Sequence, residues 1–254
     1  MNVAIVAASH KPYWMPDSPL YLPLFVGSVG LPSIEGFLRD DTGEHISARN
    51  FSYCELTGIY WAWKNLDADY IGLAHYRRYF AEPLHFSKKS RIAGQKAIER
   101  ALTRADVILP RARHYFIETN YSQYANAHHE RDLLLTREIL QERYPDYLPA
   151  WERVMRRTYG HRFNIFVMKK PVLDAYLTWL FDVLFALEQR LDISGYTGIS
   201  RRVFGLISER LIDIWLERNQ VSYVELPVVN LEKQHWPTKI YRFLKRKFSQ
   251  HRTN

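Results

Sequence analysis

The residues best suited to chemistry are His75-Tyr76-Arg77-Arg78, at the C-terminal end of the apolar run Asp69–Ala74. Two arginines and a histidine at the mouth of a buried strand form a compact cationic cluster, and the planar guanidinium fork suits bidentate binding of phosphate. If the strand continued through this segment, His75 and Arg77 would share one face and Tyr76 and Arg78 the other, so at most one pair would reach a ligand. Such a cluster either recognises phosphate or is a basic turn paired with Asp67 or Asp69. Asp40-Asp41-Thr42-Gly43 reads as a metal-ligand pair, a ribose-binding carboxylate or an Asx turn. Asp67-Ala68-Asp69 has the D-x-D pattern of a divalent-ion site, but it precedes the strand rather than following it, and so reads as the loop leading in. His128 and His129 are adjacent and point about 100° apart on a helix, which disfavours chelation of one ion. For a general base, the candidate carboxylates are Asp192 and Glu209, each alternatively a surface ion pair. The chain has no H-E-x-x-H, G-x-S-x-G, P-loop or G-x-G-x-x-G motif, which removes the usual support for zinc hydrolase, serine hydrolase, kinase and Rossmann oxidoreductase readings.

Short apolar runs supply the elements that must position these groups. Asn2–Ser9 reads as a buried parallel strand, and Leu24–Val29, Asp69–Ala74, Asp106–Pro110, Arg162–Met168 and Ser222–Val229 as further strands. Between the first two, His10–Pro23 carries four prolines and reads as loop. Helical patterns cover Tyr53–Asn65, Gln95–Thr103, Asn120–His129, Arg131–Arg143, a stretch from Pro145 to about Arg157, Val172–Arg190 and Ser200–Asn219. Strands that alternate with helices predict an α/β class with a mostly parallel sheet. In such sheets ligands sit at the carboxyl ends of the strands. That rule points to Ser9, His10 and Lys11, to His75–Arg78, and to the loop after Leu109.

Across 254 residues, 47% are apolar and 24% charged, which is globular rather than disordered composition. One cysteine, Cys54, excludes an internal disulfide framework and a cysteine-rich zinc site and fits a reducing compartment. No secretory signal opens the chain, and the longest apolar helix pattern, Ala175–Leu187, is interrupted by Asp182. The formal charge of +8 is concentrated at the end. Lys239–Asn254 carries Lys239, Arg242, Lys245, Arg246, Lys247 and Arg252 and no acid, leaving residues 1–238 near neutral. Ile240, Phe243, Leu244 and Phe248 fall on one helical face, so residues 239–254 read as a basic amphipathic tail suited to an anionic membrane surface, following one domain over residues 1–238. The near-neutral body argues against nucleic acid as a partner.

Longer strings carry a family resemblance. HKPYWMP at 10–16, DDTG at 40–43, CELTGIYWAWKN at 54–65, YIGLAHYRRYF at 70–80, YSQYANAHH at 121–129, HRFNIFVM at 161–168 and RVFGLISERLIDIWL at 202–216 resemble a bacterial family from capsule, exopolysaccharide and O-antigen loci. That family was long known as a domain of unknown function, and some of its members are assigned as galactofuranosyltransferases. The resemblance runs from Val3 to about Trp236. It implies a GT-A-like fold and transfer of a sugar, galactofuranose in some members, from a UDP-sugar to a hydroxyl of a polyprenyl-diphosphate-linked glycan. The place would be the cytoplasmic face of the bacterial plasma membrane, with the protein peripherally bound. A non-catalytic nucleotide-sugar or glycan-binding subunit of a polysaccharide assembly machine is the competing expectation.

The same resemblance places Ser9, His10 and Lys11 at the nucleotide, Asp40 or Asp41 at uridine or ribose, and Asn164 at the donor sugar. His75-Tyr76-Arg77 stands where relatives of this fold carry a metal-binding D-x-D. This implies that His75, Arg77 and Arg78 neutralise the leaving diphosphate in place of a metal. No metal ligand is assigned and no cofactor is fixed beyond the UDP-sugar donor; a divalent metal stays open, although its usual D-x-D position is occupied by His75-Tyr76-Arg77.

Overall fold

The computed structural model of the chain describes residues 1–82 and 87–232. The basic tail at 239–254 lies outside the described residues. Strands are β1 (Val3–Ser9), β2 (Tyr21–Phe25), β3 (Leu38–Arg39), β4 (Tyr70–His75), β5 (Arg78–Phe80), β6 (Val107–Pro110), β7 (Arg113–His114), β8 (Tyr159–Gly160), β9 (Phe166–Lys169), β10 (Val224–Leu226) and β11 (Val228–Asn230). Helices are α1 (Asn50–Tyr53), α2 (Leu56–Asn65), α3 (Gln95–Leu102), α4 (Asn120–Ala125), α5 (Glu130–Arg143), α6 (Leu148–Arg156), α7 (Lys170–Arg190) and α8 (Val203–Asn219).

The central sheet runs β10-β6-β9-β4-β1-β2-β3. Along it β9 is antiparallel to both β4 and β6, and the other pairings are parallel. The expected α/β layering with a mostly parallel sheet is what the chain adopts. Its inner strands alternate between two cores. Val6, Ala8, Ile71 and Leu73 pack under the layer of α1, α2 and α4–α8. Val3, Ile5, Ala7 and Ala74 pack on the opposite side with Ile98 and Leu102 of α3. A strand buried on both faces needs apolar residues at every position, which is why Val3–Ser9 reads as a continuous apolar run.

Several boundaries differ from the sequence reading, each for a physical reason. The second strand starts at Tyr21, inside the proline-rich segment. Val26 N–H donates to Ser9 O, so by the two-residue period the Pro23 nitrogen faces away from β1, toward the side where β3 pairs only from Leu24 onward. The Tyr53–Asn65 helix is broken at Cys54, whose backbone (φ 53°, ψ −129°) no helix can accommodate. The strand expected over Arg162–Met168 begins at Phe166, because Phe163 and Asn164 both lie at positive φ and form a turn. The last strand is split at Pro227 into β10, which extends the sheet, and β11, which pairs with β5. The final helix opens as a short 3-10 turn over Gly198–Arg202 before α8.

The largest consequence concerns His75–Arg78. The chain reverses there: β4 ends at His75, β5 begins at Arg78, and the two residues are antiparallel partners. Alternation along one strand therefore does not apply, and the cluster is not divided between two faces.

Candidate active site

The carboxyl ends of β1 and β4 open into a cavity of two adjoining lobes, each about 280 Å³. Both lobes are lined by Cys54, Glu55, His75, Arg77 and Arg202. Ser9, His10 and Tyr76 are among the further residues of one lobe, and Arg78, Phe163 and Glu209 among those of the other. Glu55 sits at the break between α1 and α2. The strained Cys54 backbone that makes this break costs about 1–3 kcal/mol, a cost tolerated mostly at functional positions. Gly58, one turn further on, lets α2 approach β2 closely: a Cβ there would lie 2.9 Å from Val26 Cγ1 and 3.1 Å from Leu24 Cδ2. The helix is thereby seated with Glu55 over the strand ends.

The Glu55 carboxylate is nearly buried. Its Oε1 accepts from Asn164 Nδ2 at 2.7 Å and lies 3.7 Å from His75 Nε2, while Oε2 is 3.8 Å from an Arg202 guanidinium nitrogen. His75 Nε2–H donates to Phe163 O at 2.7 Å. Burial lowers the His75 pKa, and the charge of Arg78 adds to this against the field of Glu55, so the ring is held neutral. Arg202 Nε donates to Cys54 Sγ at 3.0 Å, and burial raises the thiol to about 11.

Cations crowd the same opening. Arg78 lies over the Phe163 ring at 4.5 Å, and burial together with Arg77 lowers its pKa. Among the described residues no carboxylate pairs with Arg78. Arg77 Nη1 bonds Glu232 at 3.0 Å, while its Nε is buried without an acceptor among the described residues. The Tyr76 ring holds Lys11 Nζ at 5.6 Å and the Arg77 guanidinium at 5.4 Å. Burial, Lys11, Arg77 and Arg202 together lower the His10 pKa. A neutral imidazole, a buried carboxylate and partly unpaired arginines at one strand edge suit an anionic ligand whose reacting bond lies near a carboxylate.

A family model described as "Domain of unknown function (DUF4422)" matches residues 4–220. The chain belongs to the DUF4422 family. It is also similar to a solved structure described as the apo form of the WbbM bifunctional glycosyltransferase, with a TM-score of 0.84 and 30% identity. The match covers 92% of this chain and 46% of that one, so the chain spans about half the length of that protein. No curated protein matches. The α/β sheet and its flanking helices are thus a GT-A-like glycosyltransferase fold.

Within this DUF4422 chain the sequence-stated candidates separate. Ser9, His10, Tyr76, His75, Arg77, Arg78 and Glu209 line the cavity. Lys11 stands beside it, over Tyr76. Asp40 does not face it. Its side chain is fully buried and accepts hydrogen bonds from Gly27 N, Ser28 N and Oγ, Ser47 Oγ and Thr57 Oγ1, which ties the loop after β2 to α2. Asp41 is paired with Arg39. Asn164 is buried, with its amide spent on Glu55, Gly205 O and Ser208 Oγ, so it orients a carboxylate rather than meeting a sugar directly. Asp192 caps Ser194 N on the surface and is absent from the cavity lining. Glu209 is present, but Oε1 accepts from Phe163 N and Oε2 pairs with Arg210.

Sequence reasoning missed Glu55 as a site residue, because it lies inside a helical pattern whose interruption at Cys54 the periodicity hides. Arg202 was missed as well, because it stands in a helical pattern with nothing local to tie it to Glu55. Asp69 accepts from the Asn2 amide N–H where β4 begins, consistent with a loop leading into the strand. No described helix is long and apolar enough to cross a membrane.

Proposed function

We propose that the protein is a glycosyltransferase that moves a sugar from a UDP-sugar to a hydroxyl of a lipid-linked glycan. The reading is carried by one observation: Arg77, Arg78 and Arg202 line one cavity with the Glu55 carboxylate at the carboxyl ends of β1 and β4. The glycosyltransferase fold, with 30% identity to a protein of that activity, supports it. The family resemblance supports a UDP-linked donor, galactofuranose among the candidate sugars, and a role in capsule, exopolysaccharide or O-antigen synthesis. Residues 239–254 would supply peripheral attachment to an anionic membrane.

As the bond from sugar to diphosphate breaks, negative charge grows on the departing UDP. Arg77 and Arg78, with Lys11 and His10 at the rim, stabilise it from fixed positions. His75, held neutral, donates its Nε2 proton to Phe163 O and so adds no positive charge beside Glu55. Glu55 accepts the proton of the attacking hydroxyl. It suits this role better than Glu209, because both Glu209 oxygens are engaged, whereas the nearest cation to Glu55 Oε2 is 3.8 Å away.

The test pairs binding with turnover. UDP should raise the melting temperature, and the protein should release UDP from at least one member of a UDP-sugar panel, with and without EDTA. Stabilisation by UDP without release from any donor would favour the non-catalytic binding subunit. No stabilisation by UDP would overturn the transferase and the nucleotide-sugar-binding readings.

A further inference from the structure

His161 is not part of the cavity just described. It lies in the wall of a second cavity of about 620 Å³, beside Arg157, Tyr159, Asp213 and Tyr223. The ring is almost completely buried and clamped on both sides. Nδ1 is 2.5 Å from Asp213 Oδ1 and Nε2 is 2.9 Å from Glu225 Oε1, while the His161 backbone N–H donates to Asp213 Oδ2 at 3.0 Å. An imidazole that meets a carboxylate oxygen at each nitrogen carries a proton on both, which makes it an imidazolium. Gly160 permits the close approach: a Cβ there would lie 2.6 Å from Asp213 Oδ2 and 2.7 Å from Arg162 Nη2.

This clamp begins a segment that the cavity depends on. Phe163 and Asn164 follow at φ 81° and 51°. Two successive non-glycine residues in the left-handed region do not hold that form unaided. The turn they make supplies Phe163 O to His75 and the Asn164 amide to Glu55. Its outer supports are the His161 clamp, Arg162, which pairs with Asp213 at 3.3 Å, and Glu209, which accepts from Phe163 N.

We propose that His161 is a positioning residue: its imidazolium, held between Asp213 and Glu225, fixes the Phe163–Asn164 turn in the form that orients His75 and Glu55. The proposal relies on the proposed transfer reaction only where turnover is the readout.

The charged and titratable groups around the ring favour the proton. Burial opposes the charge, but hydrogen bonds to Asp213 and Glu225 and the fields of both carboxylates overcome it, so the His161 pKa is raised. Against them stand Arg162 on Asp213 and, farther out, Arg153 and Arg157, which are both neutralised by Glu217. Tyr223 meets the ring edge-on at 5.1 Å. Loss of the proton at alkaline pH removes one of the two ring donors and loosens the start of the turn.

The experiment uses the full chain and Glu225→Gln, which removes the charge while keeping an oxygen for Ala112 N–H. Nitrogen NMR of the wild type at pH 7 should show both His161 ring nitrogens protonated; a neutral ring overturns the proposal. In Glu225→Gln the His161 pKa should fall. The His75 Nε2–H signal, held by the bond to Phe163 O, should then be lost at a correspondingly lower pH, with circular dichroism unchanged. Retention of that signal across the His161 titration overturns the proposal. Neither readout needs turnover, so they stand even if no UDP-sugar is a donor. Where UDP-galactose is turned over, the alkaline limb of kcat should move to lower pH in step with His161, with UDP affinity unchanged. A lowered melting temperature with the limb in place would mark a merely structural role and overturn the proposal.

Discussion

Asn164 Nδ2 donates to Glu55 Oε1 over 2.7 Å, joining the turn before β9 to the break between α1 and α2 across 109 positions of sequence. The same amide nitrogen reaches Gly205 O, and its carbonyl accepts from Ser208, so the side chain is fixed by α8 as well. Replacing Asn164 with Ala leaves the Glu55 oxygen without its closest donor. We expect kcat for UDP release to fall by about 10–100-fold while UDP affinity stays within twofold. The buried groups left unpaired should cost about 1–3 kcal/mol of stability, measurable by urea unfolding.

Glu55→Gln removes the proposed proton acceptor and keeps its shape. Loss of a general base lowers turnover by about 10²–10⁴-fold. Calorimetric UDP binding should remain, and circular dichroism should match the wild type. Glu209→Gln should cost less, because both Glu209 oxygens are engaged within the protein. A larger loss in Glu209→Gln than in Glu55→Gln would reverse the assignment of the two carboxylates.

Arg77→Ala and Arg78→Ala should each weaken UDP binding. A hydrogen bond to a charged group contributes about 1.5–3 kcal/mol, which corresponds to a Kd rise of roughly 10–100-fold. Titration calorimetry at two salt concentrations checks it: the mutants should also show a smaller salt dependence. Unchanged Kd in both would remove the diphosphate from this end of the sheet.

Asp40 and Asp41 should respond oppositely to what a shared ribose-binding role predicts. Asp40 is surrounded only by donors, so Asp40→Asn turns an amide N–H toward N–H and O–H groups. We expect a loss of about 3 kcal/mol in chemical unfolding, from more than one unpaired buried group. Asp41→Asn should cost less, about 1 kcal/mol, since its bidentate pair with Arg39 is only partly buried and the amide keeps one oxygen to accept from Arg39. Neither substitution should alter UDP affinity in the folded fraction.

Acidification should destabilise the protein through His75. Burial lowers its folded pKa below that of the unfolded chain. The unfolded state therefore binds the proton first, and stability present above about pH 6.5 is lost as pH falls toward the lowered value. His75→Asn should flatten this part of the stability–pH curve, measured by urea unfolding between pH 7.5 and 5. Because the His10 pKa is lowered as well, the comparison belongs in a His10→Ala background. An unaltered slope in the double variant would place the proton uptake elsewhere.

Taken alone, the sequence determined the layers and much of the rim of the site. Apolar runs such as Val3–Ser9 and Tyr70–Ala74 are buried on both faces, so every position reports burial, and the strand ends that carry Ser9, His10 and His75–Arg78 followed directly. Buried strands declare themselves in composition because local solvation selects each residue.

Tertiary structure alone decided which carboxylates reach the cavity. Asp40, prominent in an acidic turn, is enclosed by donors from three segments; Asp192 stays at the surface; Glu55, hidden in a helical pattern, reaches the cavity because Cys54 breaks that helix. The reversal at Tyr76–Arg77 likewise set aside the two-faced reading of the cluster. A local pattern records the solvation of each residue. The role of a carboxylate depends on which distant donors the fold brings to it, as Asn164 is brought to Glu55, and no spacing within one segment encodes that distance.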